Sequence, residues 1–116
     1  MKTRLKHVRA NVSNLHKSIE WYENILGFEC TGADITDRWS YADFKCGAGA
    51  TFAIAVSDKG ATSARFNFDV DDVDELWEQI KDKVTVVEAI ETMSYGTRKF
   101  TIADPDGNEL GFVQHN

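Results

Sequence analysis

The amino-acid sequence repeats its own pattern at half its length. When the chain of 116 residues is aligned with itself at an offset of 58 residues, similar hydrophobic and polar patterns recur in both halves. Each half opens with an alternating run, around Val8 and Ala10 in the first and around Phe66 and Phe68 in the second. Such alternation is typical of a strand with one face on a core. The repeat predicts two copies of one unit, residues 1–58 and residues 59–116.

An amphipathic helix follows each of these strands. Ser13-Asn14 and Asp71-Asp72 carry side chains that can accept hydrogen bonds from the amides of a first helical turn. Gly27 is predicted to end the first helix, because a residue with positive φ is common at that place. Apolar residues then recur in steps of four, three and four, which puts each set on one helix stripe: Leu15, Ile19, Tyr22 and Leu26, then Val73, Trp77, Ile80 and Val84.

Three short β-prone runs complete each half. They cover residues 28–31, 39–45 and 51–56 in the first half and residues 86–90, 98–103 and 109–114 in the second. The last two runs are joined by a tight turn, Asp104-Pro105-Asp106-Gly107-Asn108. Each half therefore has the pattern βαβββ, and the chain is predicted to be an α+β protein.

Charge and apolar content narrow the partners and the compartment. The net charge of −6 and the isoelectric point near 4.9 argue against nucleic acid or a membrane surface as a partner, because both normally require a basic face. No apolar run approaches the roughly 20 residues that cross a bilayer. Cys30 and Cys46 lack the spacing of a zinc cluster or a disulfide framework. These features predict a cytoplasmic protein.

The order of the elements carries a family resemblance. Two βαβββ units, the run from Trp21-Tyr22 to Leu26-Gly27-Phe28 and the closing turn at residues 104–108 resemble the vicinal oxygen chelate superfamily of glyoxalases, bleomycin-resistance proteins and extradiol dioxygenases. The resemblance covers essentially the whole chain and implies a single glyoxalase-like domain over residues 1–116. It implies a curved eight-stranded mixed sheet around a cavity, with the helices outside. It also implies a homodimer.

Enzymes of that superfamily bind a divalent metal through one His, Gln or Glu from the first and the last strand of each unit. The resemblance puts these four positions at His7, Ala53, Arg65 and Gly111. Only His7 has a lone pair to offer a metal, so we expect no metal cofactor. An alternative stays open, because Glu109 shares a strand face with Gly111 and could hold a metal together with His7.

The residues that alternate with the apolar positions are expected to line the cavity. Arg9 and Arg65 could bind a carboxylate or phosphate of a ligand, or Arg65 could pair internally with Asp69 or Glu109. Aromatic rings outside the helix stripes could stack on a planar ligand. The candidate ligand-binding residues are His7, Arg9, Asn11, Trp39, Tyr41, Ala53, Arg65, Asn67, Tyr95, Glu109 and Gly111.

These patterns predict a protein that binds a small organic molecule in a polar and aromatic cavity, without the usual metal, as drug-sequestering bleomycin-resistance proteins do. An alternative is a metal-dependent lyase, isomerase or dioxygenase of the glyoxalase type that uses His7 and Glu109. A third is a stand-alone regulatory or interaction module. No catalytic residue can be assigned, because the chain shows neither a Ser-His-Asp order nor a Cys-His pair with a third member.

Overall fold

A computed structural model describes residues 2, 5–35, 40–45, 47, 50–57, 60 and 64–115. The chain divides into two compact units, residues 1–62 and residues 63–116. Each unit is a four-stranded mixed sheet with one helix, so the predicted α+β fold of repeated βαβββ units is confirmed.

The first unit contains β1 (His7–Val12), α1 (Leu15–Asn24), β2 (Cys30–Ile35), β3 (Ser40–Phe44) and β4 (Thr51–Val56). Its strand order is β1-β4-β3-β2. β1 runs parallel to β4, whereas β3 is antiparallel to both of its neighbours. The opening strand of the unit is therefore paired with the strand that closes it.

The second unit repeats this arrangement with β5 (Arg65–Asp69), α2 (Val73–Ile80), β6 (Thr85–Thr92), β7 (Arg98–Ala103) and β8 (Glu109–Gln114). The strand order is β5-β8-β7-β6, and β5 is parallel to β8. The runs predicted over residues 51–56, 98–103 and 109–114 coincide with β4, β7 and β8.

The helix of each unit packs against one face of its sheet through aromatic rings. Tyr22 of α1 lies with its ring centroid 5.3 Å from Phe44 and 5.4 Å from Phe52, and all three side chains are buried. In the second unit, Trp77 of α2 lies 5.1 Å from Phe100. Burying such rings supplies much of the apolar contact of a small domain. The helix-free faces are consequently left to the alternating polar and small residues.

Both helices end earlier than their apolar stripes suggest. α1 stops at Asn24, after which Gly27 adopts a φ of 71° and the Phe28 amide donates to the Tyr22 carbonyl at 3.0 Å. Gly27 thus reverses the chain as predicted, and β2 starts at Cys30 rather than at residue 28. α2 stops at Ile80, because the Lys83 amide turns back to the Ile80 carbonyl at 2.8 Å before the chain enters β6.

Polar side chains fix the starts of both helices. Asn14 and Asp72 accept from the amides of Lys17 and Glu75, each at 3.0 Å. In the described part of the chain, neither helix is long and apolar enough to cross a membrane.

Candidate functional site

The helix-free face of the first sheet combines charged, aromatic and small side chains. Arg9 of β1 pairs in register with Ala53 of β4, which in turn pairs with Asp43 of β3. Residues that are directly opposite in neighbouring strands share a face of the sheet. Asn11, Ala55 and Tyr41 form the next such row. The parity assumed from the sequence therefore holds across β1, β4 and β3.

Tyr41 and Asp43 are joined on this face by a short hydrogen bond that the phenol donates to the carboxylate. This bond, followed by burial and by the charge of Asp43, raises the pKa of Tyr41 to about 12, and nearby Arg9 opposes the rise. A carboxylate disfavours a second negative charge beside it, so the phenol keeps its proton. The pair supplies a ring edge and a charged group at fixed positions beside Arg9.

The helix-free face of the second sheet is built from the corresponding strands. Arg65 of β5 pairs with Glu109 of β8, and Asn67 pairs with Gly111. Thr101 of β7 pairs with Gly111 from the other side. The side chain of Asn67 lies over Gly111, in the space that a β-carbon at position 111 would need. Asn67 therefore fills the space that the missing side chain of Gly111 leaves on this face.

Arg65 is the centre of a network on this face, called here the Arg65 cluster: Arg65, Glu88, Thr101 and Glu109. Its Nη2 donates to Oε1 of Glu88 at 2.5 Å and to Oγ1 of Thr101 at 3.1 Å. Its Nη1 lies 3.2 Å from Oε1 of Glu109. Thr101, which is fully buried, donates its hydroxyl proton to Oε1 of Glu88 at 3.0 Å. The guanidinium is thus paired internally.

The electrostatics of the cluster follow from these contacts. Hydrogen bonds from Arg65 and then from Thr101 hold the pKa of Glu88 below its usual value, and the charges of Arg65 and Lys99 act in the same direction. Glu88 therefore stays ionised to a lower pH than an unpaired glutamate does. Of the two internal partners considered for Arg65, the structure selects Glu109, since Asp69 lies 3.2 Å from His115 instead.

Other predicted site residues lie apart from these clusters or outside the described part of the chain. His7 is exposed at the start of β1, opposite Thr51. Tyr95 is 71% exposed in the turn between β6 and β7. Trp39 falls outside the described residues. How these side chains meet a ligand stays a prediction.

Three residues of these clusters, Asp43, Glu88 and Thr101, are not among the candidate ligand-binding residues predicted from the sequence. Asp43 lies two positions from Tyr41 on the same strand, so the alternation of β3 could have identified it. Glu88 lies on β6, where the register with β7 shifts on both sides of it. Alternation cannot be counted through such bulges, and the sequence offered no comparable signal for Glu88.

The metal positions of the superfamily do not fit a metal in this chain. Ala53 presents a buried methyl group, and Gly111 is covered by Asn67. Arg65 offers no lone pair, and it already contacts Glu109, the residue that was considered as a metal ligand together with His7. Among the described residues, three or more His, Cys, Asp or Glu side chains do not come together as a metal site would require.

The sequence is similar to a known family profile and to named relatives. A profile of the Glyoxalase/Bleomycin resistance protein/Dioxygenase superfamily matches residues 4–112. A Bacillus subtilis (strain 168) protein named probable trivalent organoarsenical cleaving enzyme is 34% identical over 115 residues, which covers 91% of this chain and 76% of that protein. Glyoxalase domain-containing protein 4 of Rattus norvegicus is 29% identical over 112 residues, which covers 88% of this chain and 38% of the relative.

Solved structures share the architecture over nearly the whole chain. A member of the glyoxalase/bleomycin resistance protein/dioxygenase superfamily from Sphaerobacter thermophilus DSM 20745 has a TM-score of 0.83 at 23% identity, covering 99% of both chains. TnmS3, an antibiotic binding protein from Streptomyces sp. CB03234, has a TM-score of 0.84 at 21% identity, covering 99% of this chain and 98% of its own. At these identities the likeness concerns the fold.

Proposed function

Because the chain belongs to the Glyoxalase/Bleomycin resistance protein/Dioxygenase superfamily, we propose that it binds a small organic molecule on its helix-free sheet faces without a divalent metal. The observation that carries this proposal is the chemistry of the four superfamily metal positions. One is His7, and the others are a methyl group, a hydrogen atom and an ion-paired guanidinium. With these groups the faces can offer hydrogen bonds and ring contacts but lack a set of metal donors.

The first unit suggests what the ligand offers. Tyr41 and Asp43 present a ring and a carboxylate beside the guanidinium of Arg9. An organic molecule with a planar part and hydrogen-bonding groups would use such a surface, because aromatic rings stack and charged groups fix orientation. The neighbour TnmS3 is described as an antibiotic binding protein. Binding of a drug-like molecule is accordingly the form of the proposal that we favour.

A binding experiment in the presence of chelator tests the proposal. The first probe is metal-free bleomycin, followed by catechol and by the adduct of methylglyoxal with glutathione. A bound molecule raises the melting temperature, because it binds the folded state alone. We expect at least one probe to do so with the chelator present, and we expect the shift to shrink in Arg9→Gln and Tyr41→Ala. His16→Ala, an exposed change on α1, is the control.

The opposite pattern would contradict the proposal. Metal analysis of protein purified without chelator, together with thermal shifts on adding nickel, zinc or manganese, would reveal a metal site. Stoichiometric metal that is lost in His7→Ala, together with no organic probe bound in chelator, would contradict the metal-free binding protein and favour a metalloenzyme.

A second candidate is an enzyme, and the relative at 34% identity favours it. That protein is named a probable trivalent organoarsenical cleaving enzyme, so a related cleavage is the activity to assay first. The purified chain, with and without added divalent metal, would be incubated with a trivalent organoarsenical while released inorganic arsenic is measured. Metal-dependent release above the protein-free rate, lost in His7→Ala, would favour this candidate.

We further propose a homodimer in the cytoplasm. The superfamily resemblance supports the dimer, and the acidic composition, with a net charge of −6, suits a protein that avoids nucleic acid. Light scattering coupled to size-exclusion chromatography tests the oligomeric state. A monomer across the accessible concentration range would remove the dimer and leave ligand binding untouched.

A further inference from the structure

The Arg65 cluster connects all four strands of the second sheet. Arg65 projects from β5, Glu109 from β8, Thr101 from β7 and Glu88 from β6. One guanidinium therefore contacts a side chain from each of the other three strands, at distances of 2.5 to 3.2 Å. A single cation thus lies between two carboxylates, and the three charged side chains remain partly exposed, at 43% for Arg65, 45% for Glu88 and 37% for Glu109.

We infer that the guanidinium of Arg65 is a built-in cation, which balances the charges of Glu88 and Glu109 and keeps a divalent metal out of the second unit. The inference concerns this one sheet and does not rest on the proposed ligand binding. It makes Arg65 a positioning residue that fixes Glu88 and Glu109. It also removes Arg65 from the groups available to bind an anionic ligand.

The chemistry of the contacts supports this role. A guanidinium stays protonated under all physiological conditions, carries fixed N–H donors and has no lone pair for a metal. Its Nη1 and Nη2 atoms each face a carboxylate oxygen, so the positive charge lies between Glu109 and Glu88. A divalent ion that approached either carboxylate would meet this fixed positive charge at short range.

The buried hydroxyl of Thr101 links the cation to the carboxylate of Glu88. This hydroxyl accepts from Nη2 of Arg65 and donates to the same Oε1 of Glu88 that the guanidinium contacts. The hydroxyl can complete both bonds only when the cation and the carboxylate are in place together. Thr101 lies beside Gly111 in register, so the cluster borders the position on β8 from which a metal ligand would otherwise project, and Asn67 covers that position itself.

The experiment titrates the protein with Mn²⁺ alone. Binding is measured as the loss of the electron paramagnetic resonance signal of the free ion. The wild type is compared with Arg65→His and Arg65→Gln, which remove the cation, and with Lys83→His. Lys83→His is the matched control, because it also exchanges a cation for an imidazole, at an exposed position in the turn between α2 and β6, and leaves Arg65 intact. Circular dichroism reports whether each variant is folded.

We expect the wild type and Lys83→His to leave Mn²⁺ free. Arg65→His joins an imidazole to two carboxylates and should bind Mn²⁺ more tightly than the wild type by about tenfold or more, the scale set by single groups at metal sites. Adding Glu88→Gln or Glu109→Gln to Arg65→His should each reverse the gain. Arg65→Gln should gain a weaker affinity, visible as a rise in melting temperature on adding Mn²⁺.

Two outcomes would overturn the inference. The first is wild-type protein that binds Mn²⁺ and loses the affinity in Glu109→Gln, because the guanidinium would then not exclude metal. The second is a folded Arg65→His or Arg65→Gln variant with no more affinity for Mn²⁺ than the wild type. If neither variant folds, the wild-type titration with Glu88→Gln and Glu109→Gln still decides the first outcome. Organic probes bound in chelator are a separate readout and test the proposed function alone.

Discussion

The Oδ1 atom of Asn67 occupies the space in which a β-carbon of residue 111 would lie. Asn67 and Gly111 are register partners on β5 and β8, so the glycine permits the asparagine side chain to fold flat across its neighbour strand. Cross-strand pairs of this kind are the unit of sheet stabilisation. The relationship makes the two positions interdependent, which gives the first prediction.

Gly111→Ala should destabilise the protein by about 1 kcal/mol, because the new methyl group forces Asn67 into another rotamer. In an Asn67→Ala background the same change should be neutral or stabilising, since alanine restricts the unfolded chain more than glycine does. Urea unfolding of the four combinations measures the coupling. Gly32→Ala is the control on β2, where a β-carbon meets nothing within 4 Å. Equal effects of Gly111→Ala in both backgrounds would contradict the prediction.

The Tyr41 phenol should titrate near pH 12, and Asp43→Asn should return its pKa toward the ordinary value near 10. The folded protein favours the protonated phenol. The hydrogen bond between Tyr41 and Asp43 therefore stabilises the folded protein fully below pH 10, and this stabilisation is lost as the pH rises from 10 to about 12. Tyrosinate absorbance measures the titration, and Tyr41→Phe identifies the signal among the three tyrosines of the chain. A titration of Tyr41 near its ordinary value would show that the bond to Asp43 is weak in solution.

Asn108→Ala should lower the free energy of unfolding by about 2–4 kcal/mol, because it leaves buried polar groups without partners. Asn108 is fully buried, donates from Nδ2 to Oδ2 of Asp104 at 2.9 Å, and accepts from the Ala64 amide at 3.1 Å. Urea unfolding measures the loss, and hydrogen exchange should accelerate at the Ala64 amide. The matched control is Asn24→Ala on the exposed end of α1, with an expected change below about 0.5 kcal/mol. Similar values for both variants would count against the role of Asn108.

Gln114→Ala should cost about 0.5–1.5 kcal/mol, because the Val73 amide at the start of α2 loses its acceptor. Oε1 of Gln114 accepts from that amide at 2.8 Å. Hydrogen exchange at Val73 and urea unfolding measure the effect. Gln79→Ala on the exposed side of α2 is the control of the same residue type, and it should change stability by less than about 0.5 kcal/mol. Unchanged exchange at Val73 would mean that water replaces the side chain without cost.

The fold was predictable because its signals are local and repeated. The alternation around Val8 and Phe66 and the glycine that reverses the chain after α1 each depend on a few neighbouring residues. The bounds of β4, β7 and β8 were found from such patterns. The ends of the helices were not, since Leu26 and Val84 continue the apolar stripe beyond Asn24 and Ile80, the last residues of α1 and α2. An apolar period indicates which residues face the core, but it does not indicate at which residue the helix ends.

The faces of the candidate site were predictable, and so was Glu109 as a possible partner of Arg65, but the other partners were not. Alternation assigned Arg65 and Glu109 to one face, and the register of β5 and β8 places them opposite each other. The contact of Arg65 with Glu88 depends on bulges in β6 and on a side chain that reaches across the sheet. Such contacts arise from tertiary geometry, which the spacing of residues in one sequence does not encode.

The pairing of β5 with β8 also has a consequence for the time course of synthesis. In the described part of each sheet, the strand that leaves the ribosome first in a unit pairs with the strand that leaves last. β5 therefore stays unpaired while α2, β6 and β7 are made, and β1 waits in the same way for β4. Each half of the repeat must hold an open strand edge through its own translation, when partly made chains are most prone to aggregate.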